Sequence, residues 1–360
     1  MSKQNPSFIY LRGLRRVDHT VFGVQDGQKH YYDPQSGRLM AYSSGQQVKR
    51  SVMESLADQL QQPFAAITFN WEIKGKKAEM KEPHSPCDPS FTDQLLGGYM
   101  KAQKDSMTVK RRSPLSISAM RPLHPLLGGL ESSKEAVVFD RSNRPEEHIV
   151  KVFTQENNKR VEIPQDKLDD WLLEHDRSLG PKFYRQDSLT RATGLFVYDI
   201  AIDLRTLFCV STNRLEPELF PAIETKLREA GWVAGRNVFG HCLILPRAER
   251  ERVIPALAHA LVHWRITTNQ SRTFSPMEIL ALAISDNANQ LAYAIRGELR
   301  EDLERPSAVP RLDESARADL FVTPSCSAII AGAVGTASAL EATEAHLIQR
   351  MQNFDYENQG

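Results

Sequence analysis

Two short segments of the chain combine cationic side chains with hydroxyl groups and backbone amides, a chemistry suited to binding phosphate. The first is Ser44-Gly45-Gln46-Gln47-Val48-Lys49-Arg50, in which Ser44 and Gln47 fit a capping box at the start of a helix. Lys49 and Arg50 then lie within the first turn and a half, where positive charge is unfavourable for the helix dipole. An anion bound at this helix end explains their placement. The alternative is a surface helix that tolerates a cost of roughly a few tenths of a kcal/mol.

The second segment is Lys110-Arg111-Arg112-Ser113. It lies in one of two basic regions of a chain whose charge is unevenly distributed. Residues 1–50 carry eight basic and three acidic side chains, and residues 101–125 carry six basic and one acidic. Beyond residue 250 the chain has nine basic and fourteen acidic side chains. A positive flank suits a phosphate backbone and a negative one suits a second copy of the chain. For charge runs alone, solvated faces of opposite sign are the simpler interpretation.

Length and composition indicate an ordinary folded protein. The chain of 360 residues suggests about two units of roughly 150 residues. Basic and acidic residues balance at 45 each, and the four cysteines have no C-x-x-C spacing, which argues against a zinc ribbon or a thioredoxin site. The first residues have no secretory apolar core, and no run of about 18 apolar residues occurs. We therefore expect a reduced, cytoplasmic protein without a membrane partner.

The elements that must position the two segments alternate between strands and helices. Strands are predicted at 7–14, with a return at 17–24, at 194–200 and at 238–245. Helices are predicted from the Ser44 cap to Pro63, with an apolar face of Val48, Val52, Leu56 and Leu60, and also across 219–227, 250–264 and 341–351. Between 64 and 191 the periodicity is lost. The pattern predicts an α+β sheet domain that contains an insertion.

The remaining motifs do not match a known catalytic site. His259 and His263 have the i, i+4 spacing of two metal ligands, but the residues between them include no glutamate and the sequence nominates no third ligand. We expect a structural pair rather than a zinc site. Residues 329–335 are typical of a strand that enters a small-residue turn, without the lysine of a P-loop. We nominate no catalytic residue, metal or cofactor.

Several segments, taken in order, resemble the DevR-type backbone subunits of CRISPR type I (Cascade) effector complexes, which belong to the RAMP superfamily. These are the 42–50 segment after the first strand, Asp93-Gln94-Leu95-Leu96-Gly97-Gly98-Tyr99-Met100, Lys110 to Ser118 with Arg111-Arg112-Ser113-Pro114-Leu115, and Gly194 to Tyr198 with Ile202-Asp203-Leu204. The resemblance spans roughly the first 210 residues. The family's phenylalanine before Gly-Tyr-Met is absent and Gly98 is extra, which leaves the subtype open.

The resemblance implies an RNA-recognition-motif-like (ferredoxin-like) palm with a large inserted finger region and a thumb hairpin. On this basis residues 1–63 form the first part of the palm, 64–192 the finger region, and 193–360 the remainder of the palm. The thumb is placed either at 101–121 or at 194–214.

The resemblance also implies a function in antiviral defence. Copies of such a subunit stack along the CRISPR guide RNA (crRNA) and hold its phosphates without reading bases, while the guide pairs with target DNA. The implied partners are crRNA, target DNA through it, other effector subunits and further copies of the chain, and the subunit is not an enzyme. The implied RNA-binding residues are Arg12, Arg15, Arg16, Ser44, Gly45, Gln46, Lys49, Arg50, Lys110, Arg111, Arg112 and Ser113.

Two alternatives belong to other classes of protein. Backbone subunits of type III complexes cut target RNA with an acidic loop residue, and Asp18, Asp26 and Asp33 follow the first strand here. The glycine turn at 332–335 is compatible with a nucleotide-binding metabolic enzyme. The type I subunits are the better match.

Overall fold

The computed structural model describes residues 6–23, 28–75, 77–102, 107–133, 136–138, 151–156, 158–179, 183–185, 189–266, 274–300 and 306–359. The chain divides into two compact units, one made of Met1–Glu131 with Arg191–Gly360 and the other of Ser132–Thr190.

The helices and strands are short apart from a few long elements. The helices are α1 (Gly45–Leu60), α2 (Thr92–Gly97), α3 (Leu168–Glu174), α4 (Leu204–Leu207), α5 (Pro221–Glu229), α6 (Arg247–His263), α7 (Ala288–Ala294) and α8 (Ala339–Gln352). The strands are β1 (Phe8–Thr20), β2 (His30–Asp33), β3 (Arg38–Ala41), β4 (Thr68–Lys74), β5 (Lys77–His84), β6 (Tyr99–Lys101), β7 (Val109–Arg111), β8 (Leu115–Ile117), β9 (Arg121–Pro122), β10 (Gly128–Ser133), β11 (Ala136–Val138), β12 (Val152–Glu156), β13 (Lys159–Ile163), β14 (Phe183–Arg185), β15 (Leu189–Asp203), β16 (Cys209–Ser211), β17 (Val233–Asn237), β18 (Gly240–Ile244), β19 (Glu278–Ser285), β20 (Ile295–Arg300), β21 (Ser307–Leu312) and β22 (Asp319–Val322). Among the described residues, no helix combines the length and the apolar character needed to span a membrane.

The main sheet is built around β1, which pairs antiparallel with β15 on one side and β19 on the other. Leu11 stands opposite Ile200 in one neighbour and Ile284 in the other. β8 pairs antiparallel with β15, so four strands lie in the order β8-β15-β1-β19. Because α1 lies in the chain between β1 and β8, and α6 between β15 and β19, these elements follow the β-α-β-β-α-β order of a ferredoxin-like fold. The predicted α+β class and palm are confirmed.

The core lies between this sheet and the two helices that connect its strands. Ile9 and Leu11 on β1 are fully buried, and Tyr10 between them faces the other side of the sheet. Val48, Val52 and Leu56 present the predicted apolar face of α1 to the same core, where they join α6. The sequence therefore predicted the helix face that closes the palm.

A second apolar cluster covers the opposite face of the sheet. Leu14 and Leu280 pack there with Leu291 of α7 and Ile330. The strand predicted at 329–335 is wrong, because a 3₁₀ turn at Pro324–Ala328 leads into a loop instead. Thr336 N donates to Val322 O at 2.8 Å, which ties that loop to the edge of the sheet.

The prediction of two strands within residues 7–24 is also wrong. β1 runs without a break from Phe8 to Thr20, and its pairing shifts register between Leu14 and Arg15 and again between Val17 and Thr20. His19 has a φ of 40° at the second shift. These bulges disturb the alternation of the sequence, which makes one long strand look like two.

The region predicted as an insertion contributes to the palm as well. It contains β8 of the main sheet, together with the β4–β5 hairpin and the β6–β7 pair. The smaller compact unit, Ser132–Thr190, contains the β11–β14 and β12–β13 pairs and α3.

Replacement of Gly13 by alanine tests the packing at the centre of the palm. A Cβ at Gly13 would lie 2.4 Å from the ring of Tyr198, which is fully buried and packs edge-to-face on Trp264. We expect Gly13→Ala to lower the free energy of unfolding by about 1–3 kcal/mol, since the core has no room for the methyl group. Urea denaturation measures this change.

Gly129→Ala is the matched control, because nothing lies within 4 Å of the position of its Cβ. We expect its effect to stay within about 1 kcal/mol. Equal stability of the two variants would contradict the packing described here.

Candidate nucleic-acid interface

The N-terminus of α1 is capped by a serine, as its sequence predicts. Ser44 Oγ accepts a hydrogen bond from Gln47 N at 3.3 Å, so this half of the predicted capping box is confirmed. The other half is wrong. The Gln47 side chain donates from Nε2 to Phe22 O, and its Oε1 accepts from Ser43 Oγ at 3.1 Å. The Gln47 side chain therefore ties the start of α1 to Phe22 and Ser43 and does not bond to the backbone of Ser44.

Gly45 allows this helix end to approach the main sheet closely. A Cβ at Gly45 would lie only 2.4 Å from Ile117 O, at the end of β8. Beside it, Ser43 and Met120 exchange two backbone hydrogen bonds of 3.0 Å each. Gln46, the next residue, is exposed. The first amides of a helix have no partner within the helix, so this end of α1 offers donors near an accessible surface.

The two predicted phosphate-binding segments meet at the end of α2. Three consecutive carbonyl oxygens of that helix accept hydrogen bonds from them: Leu95 O from Arg111 Nε at 3.0 Å, Leu96 O from Ser113 Oγ at 2.7 Å and Gly97 O from Lys49 Nζ at 3.5 Å. The last carbonyls of a helix lack partners and carry partial negative charge, which suits these donors. The segments lie about 60 residues apart in sequence and are brought together by one short helix.

The cations around this junction differ in their availability to a ligand. Lys49 is half-buried, and burial lowers the pKa of its ammonium group. Arg50 is exposed; its Nε lies 2.6 Å from Glu54 Oε1 and its guanidinium lies over the ring of Phe64. Lys110 and Arg112 are both exposed.

One further cation is added by the structure. Arg121 is exposed and directly follows Met120, the residue paired with Ser43 at the start of α1. Arg121 belongs to the basic run of 101–125 but is absent from the predicted binding residues. We define the cationic surface as the start of α1 together with Lys49, Arg50, Lys110, Arg112 and Arg121.

Arg111 does not belong to this surface, although the sequence analysis predicts that it binds RNA. Its side chain is almost completely buried, and its guanidinium donates to Cys209 O at 2.8 Å and Thr206 O at 2.9 Å besides the α2 carbonyl. Glu218 Oε2, 3.0 Å from Arg111 NH1, balances the charge. Four of the five N–H donors of the guanidinium are thus engaged by the protein.

Arg15, for which an RNA contact is also predicted, is likewise buried and lies outside the cationic surface. Arg15 is 1% exposed, and its guanidinium donates to Met277 O and Val262 O at 3.0 Å each. The group lies 4.3 Å from the centre of the Trp264 ring. Burial lowers the pKa of Arg15, and its hydrogen bonds and ring contact offset the cost of keeping a cation there.

Arg12 and Arg16 lie apart from the junction with α2. Arg12 forms two hydrogen bonds to the Asp199 carboxylate, at 2.7 and 3.0 Å, and a third to Ile295 O at 2.9 Å. It is on the face of β1 opposite the one that packs on α1. Arg16 is exposed further along the same strand.

The acidic residues considered for catalysis lie in different elements of the structure. Asp33 accepts hydrogen bonds from Ser36 Oγ at 2.6 Å and Gln35 N at 3.3 Å in the β2–β3 turn, and the serine contact lowers its pKa. Asp18 is exposed within β1 rather than in a loop. Asp26 lies outside the described residues.

Comparison with known proteins gives structural neighbours only. No protein-family model matches the chain, and no curated protein matches it. A chain of a solved "CRISPR RNA-guided surveillance complex, pre-nicking" is similar over 96% of this chain and 88% of its own length, with 9% sequence identity and a TM-score of 0.46. A chain of a second "CRISPR RNA-guided surveillance complex" is similar over 94% and 99%, with 11% identity and a TM-score of 0.45.

Mutation tests the difference in burial between two adjacent arginines, buried Arg111 and exposed Arg112. We expect Arg111→Met to lower the free energy of unfolding toward the lower end of the roughly 3–5 kcal/mol that breaking a buried ion pair costs, because Glu218 keeps some contact with water. The same change at exposed Arg112 is expected to stay within about 0.5 kcal/mol. Chemical denaturation followed by circular dichroism compares them, and a reversed order would contradict the assigned burial.

Proposed function

We propose that the chain is a crRNA-binding backbone subunit of a cytoplasmic CRISPR type I effector complex that serves antiviral defence. In this function it holds the guide through its phosphates and presents the bases for pairing with target DNA. The observation that carries the proposal is the junction at the end of α2, where Lys49 of the capped helix α1 and Arg111 and Ser113 of the second segment bond to consecutive carbonyls and bring the two basic segments together. These are the same segments that carry the resemblance to the DevR-type subunits.

The surface has the chemistry needed to bind a strand without reading its sequence. Lysine and arginine side chains and the amides of a helix N-terminus recognise phosphate oxygens, which are the same at every nucleotide. The exposed cations of the surface are Arg50, Lys110, Arg112 and Arg121. A phosphate beside half-buried Lys49 would also offset the loss of hydration that lowers its pKa.

Several copies along one guide require an interface between copies, and the β4–β5 hairpin has the exposed apolar surface for it. Phe69, Trp71 and Ile73 alternate along β4, with Met80 opposite Trp71 on β5, so they share one face of the hairpin. Each of the four is at least 60% exposed. The other face carries ion pairs, among them Lys81 with Glu72 at 2.8 Å.

We propose this hairpin as the thumb. The two locations proposed from the sequence have other settings in the structure. Of the 194–214 location, residues 194–203 lie within β15 of the main sheet. The 101–121 location overlaps the β6–β7 pair, in which Tyr99 and Val109 are buried. A solvent-exposed apolar face of this kind is typical of a protein interface.

Within this proposal the subunit is a scaffold rather than an enzyme. Asp33 is occupied in its own turn by Ser36 and Gln35, and Asp18 projects from a strand. Neither observation favours the type III-like alternative of target RNA cleavage.

The first test is the salt dependence of RNA binding. The paired substitutions Lys49→Ala with Arg50→Ala, and Lys110→Ala with Arg112→Ala, are expected to flatten the plot of log affinity against log salt. The slope should change by roughly 0.7 for each phosphate that the variant no longer neutralises, because fewer counterions are released from a single strand. Fluorescence anisotropy with several unrelated RNA sequences over a range of salt concentrations measures the slope.

Arg247→Ala is the matched control, since this arginine is 82% exposed and paired with Glu251 on α6, away from the α2 junction. Its slope should equal that of the wild type. An affinity that ignores salt would refute phosphate binding, and weaker binding confined to one RNA sequence would show base recognition instead.

The second test concerns assembly. We expect Trp71→Ser with Ile73→Ser to reduce the number of copies that load onto an RNA long enough for several, because the variant removes the apolar face that copies bury. Binding of one copy to a short RNA should be unchanged. Sedimentation velocity at both RNA lengths separates the two effects.

Leu215→Ser provides a control at a side chain that is 92% exposed elsewhere on the chain. If it impairs assembly as much as the hairpin variant does, or if the hairpin variant assembles normally, the assignment of the thumb fails.

A further inference from the structure

The pair of histidines on α6 acquires a third partner from α8. His259 and His263 stand one turn apart on one face of α6, and their rings stack with centroids 4.4 Å apart and planes inclined by 28°. Glu344 reaches them from α8, with Oε1 lying 2.7 Å from His263 Nε2 and 3.4 Å from His259 Nδ1. No local motif points to Glu344, because it lies 81 positions beyond His263.

These three groups match the ligand preferences and spacing of a divalent transition-metal site. One nitrogen from each histidine and one carboxylate oxygen lie within 4.8 Å of one another. Ligand bonds to Zn²⁺ are roughly 2.0–2.2 Å long, so ligand atoms around one ion stand a little over 3 Å apart. Two imidazoles and one carboxylate are also a donor set that zinc uses with a further position left open.

The surroundings permit an ion to enter and to keep a further ligand. The side chains of His259, His263 and Glu344 are 34%, 32% and 21% exposed, so the site is accessible from solvent. Beside it is a cleft of about 460 Å³ whose lining includes His259, Glu344 and Gln61. Arg252, the cation that lines the cleft, is engaged by Glu249 at 2.9 Å.

We propose that His259, His263 and Glu344 bind one divalent transition-metal ion, with Zn²⁺ as the reference ion. The ion takes the place of the proton shared between His263 Nε2 and Glu344 Oε1, and it joins α6 to α8. Since α6 lies in the core of the palm and α8 packs against it through Leu347 and Met351, the ion stabilises the C-terminal helix on the palm.

Metal titration of the purified full chain, treated with chelator and free of RNA, tests this site. Co²⁺ is expected to produce a visible absorption band of four- or five-coordinate cobalt that saturates at one equivalent. Zn²⁺ should then displace the cobalt and bleach the band. Calorimetry with Zn²⁺ should give the same stoichiometry, and Zn²⁺ should raise the midpoint of thermal unfolding.

Two variants remove ligands at partly exposed positions, where a folding defect is least expected. His263→Ala and Glu344→Gln should each weaken Zn²⁺ binding by at least roughly 10-fold, because even outer partners of a metal site are worth that much. They should also abolish the rise in unfolding midpoint. Circular dichroism in the absence of metal verifies that each variant is folded.

His346→Ala is the control, because this histidine is also on α8 but lies 3.1 Å from Asp319 instead. It should bind Zn²⁺ as the wild type does. The proposal is overturned if the wild type binds neither ion, which would leave only the His263–Glu344 hydrogen bond and the stacked histidine rings. It is also overturned if both ligand variants bind with unchanged affinity, which would place the metal elsewhere, for example at the buried free cysteines. Neither result bears on RNA binding, which is measured separately.

Discussion

The buried guanidinium of Arg111 is the contact on which the arrangement of the cationic surface depends. It joins the end of α2, the backbone around α4 and β16, and the carboxylate of Glu218. Because side chains alternate along β7, the burial of Arg111 directs Lys110 outward, and Arg112, the first residue after the strand, is also exposed. One arginine held by the protein thus sets the outward direction of the lysine before it.

The short helix α2 also positions the two basic segments. Its last three carbonyls accept hydrogen bonds from Arg111, Ser113 and Lys49, so the partial negative charge at its end holds the two basic segments together. Without these acceptors, the positive charges of the two segments would repel each other across the junction. The close approach of Gly45 to Ile117 O fixes the remaining side of the surface against the palm.

Local patterns in the sequence predicted much of the palm and part of the surface. The Ser44 cap, the apolar face of α1 and the positions of α6 and α8 follow from capping chemistry and helical periodicity, which depend on near neighbours. The burial of Arg15 and Arg111 did not follow, because a charged residue in a basic run has the same sequence signature whether it faces water or backbone carbonyls. The bulges in β1 hid a single strand, and β8 is only three residues long, too short to show an alternating pattern. Contacts between distant segments, such as Glu344 with His263, leave no local signal.

The amphipathic β4–β5 hairpin has a consequence for the life of the newly made chain. Four large apolar side chains on one face of this hairpin are exposed to water in the isolated chain. Exposed apolar surfaces of this type promote aggregation. The opposite, ion-paired face of the hairpin is hydrated, but it does not prevent aggregation through the apolar face. On the proposal that copies of the chain bury this face, rapid assembly after synthesis limits that aggregation.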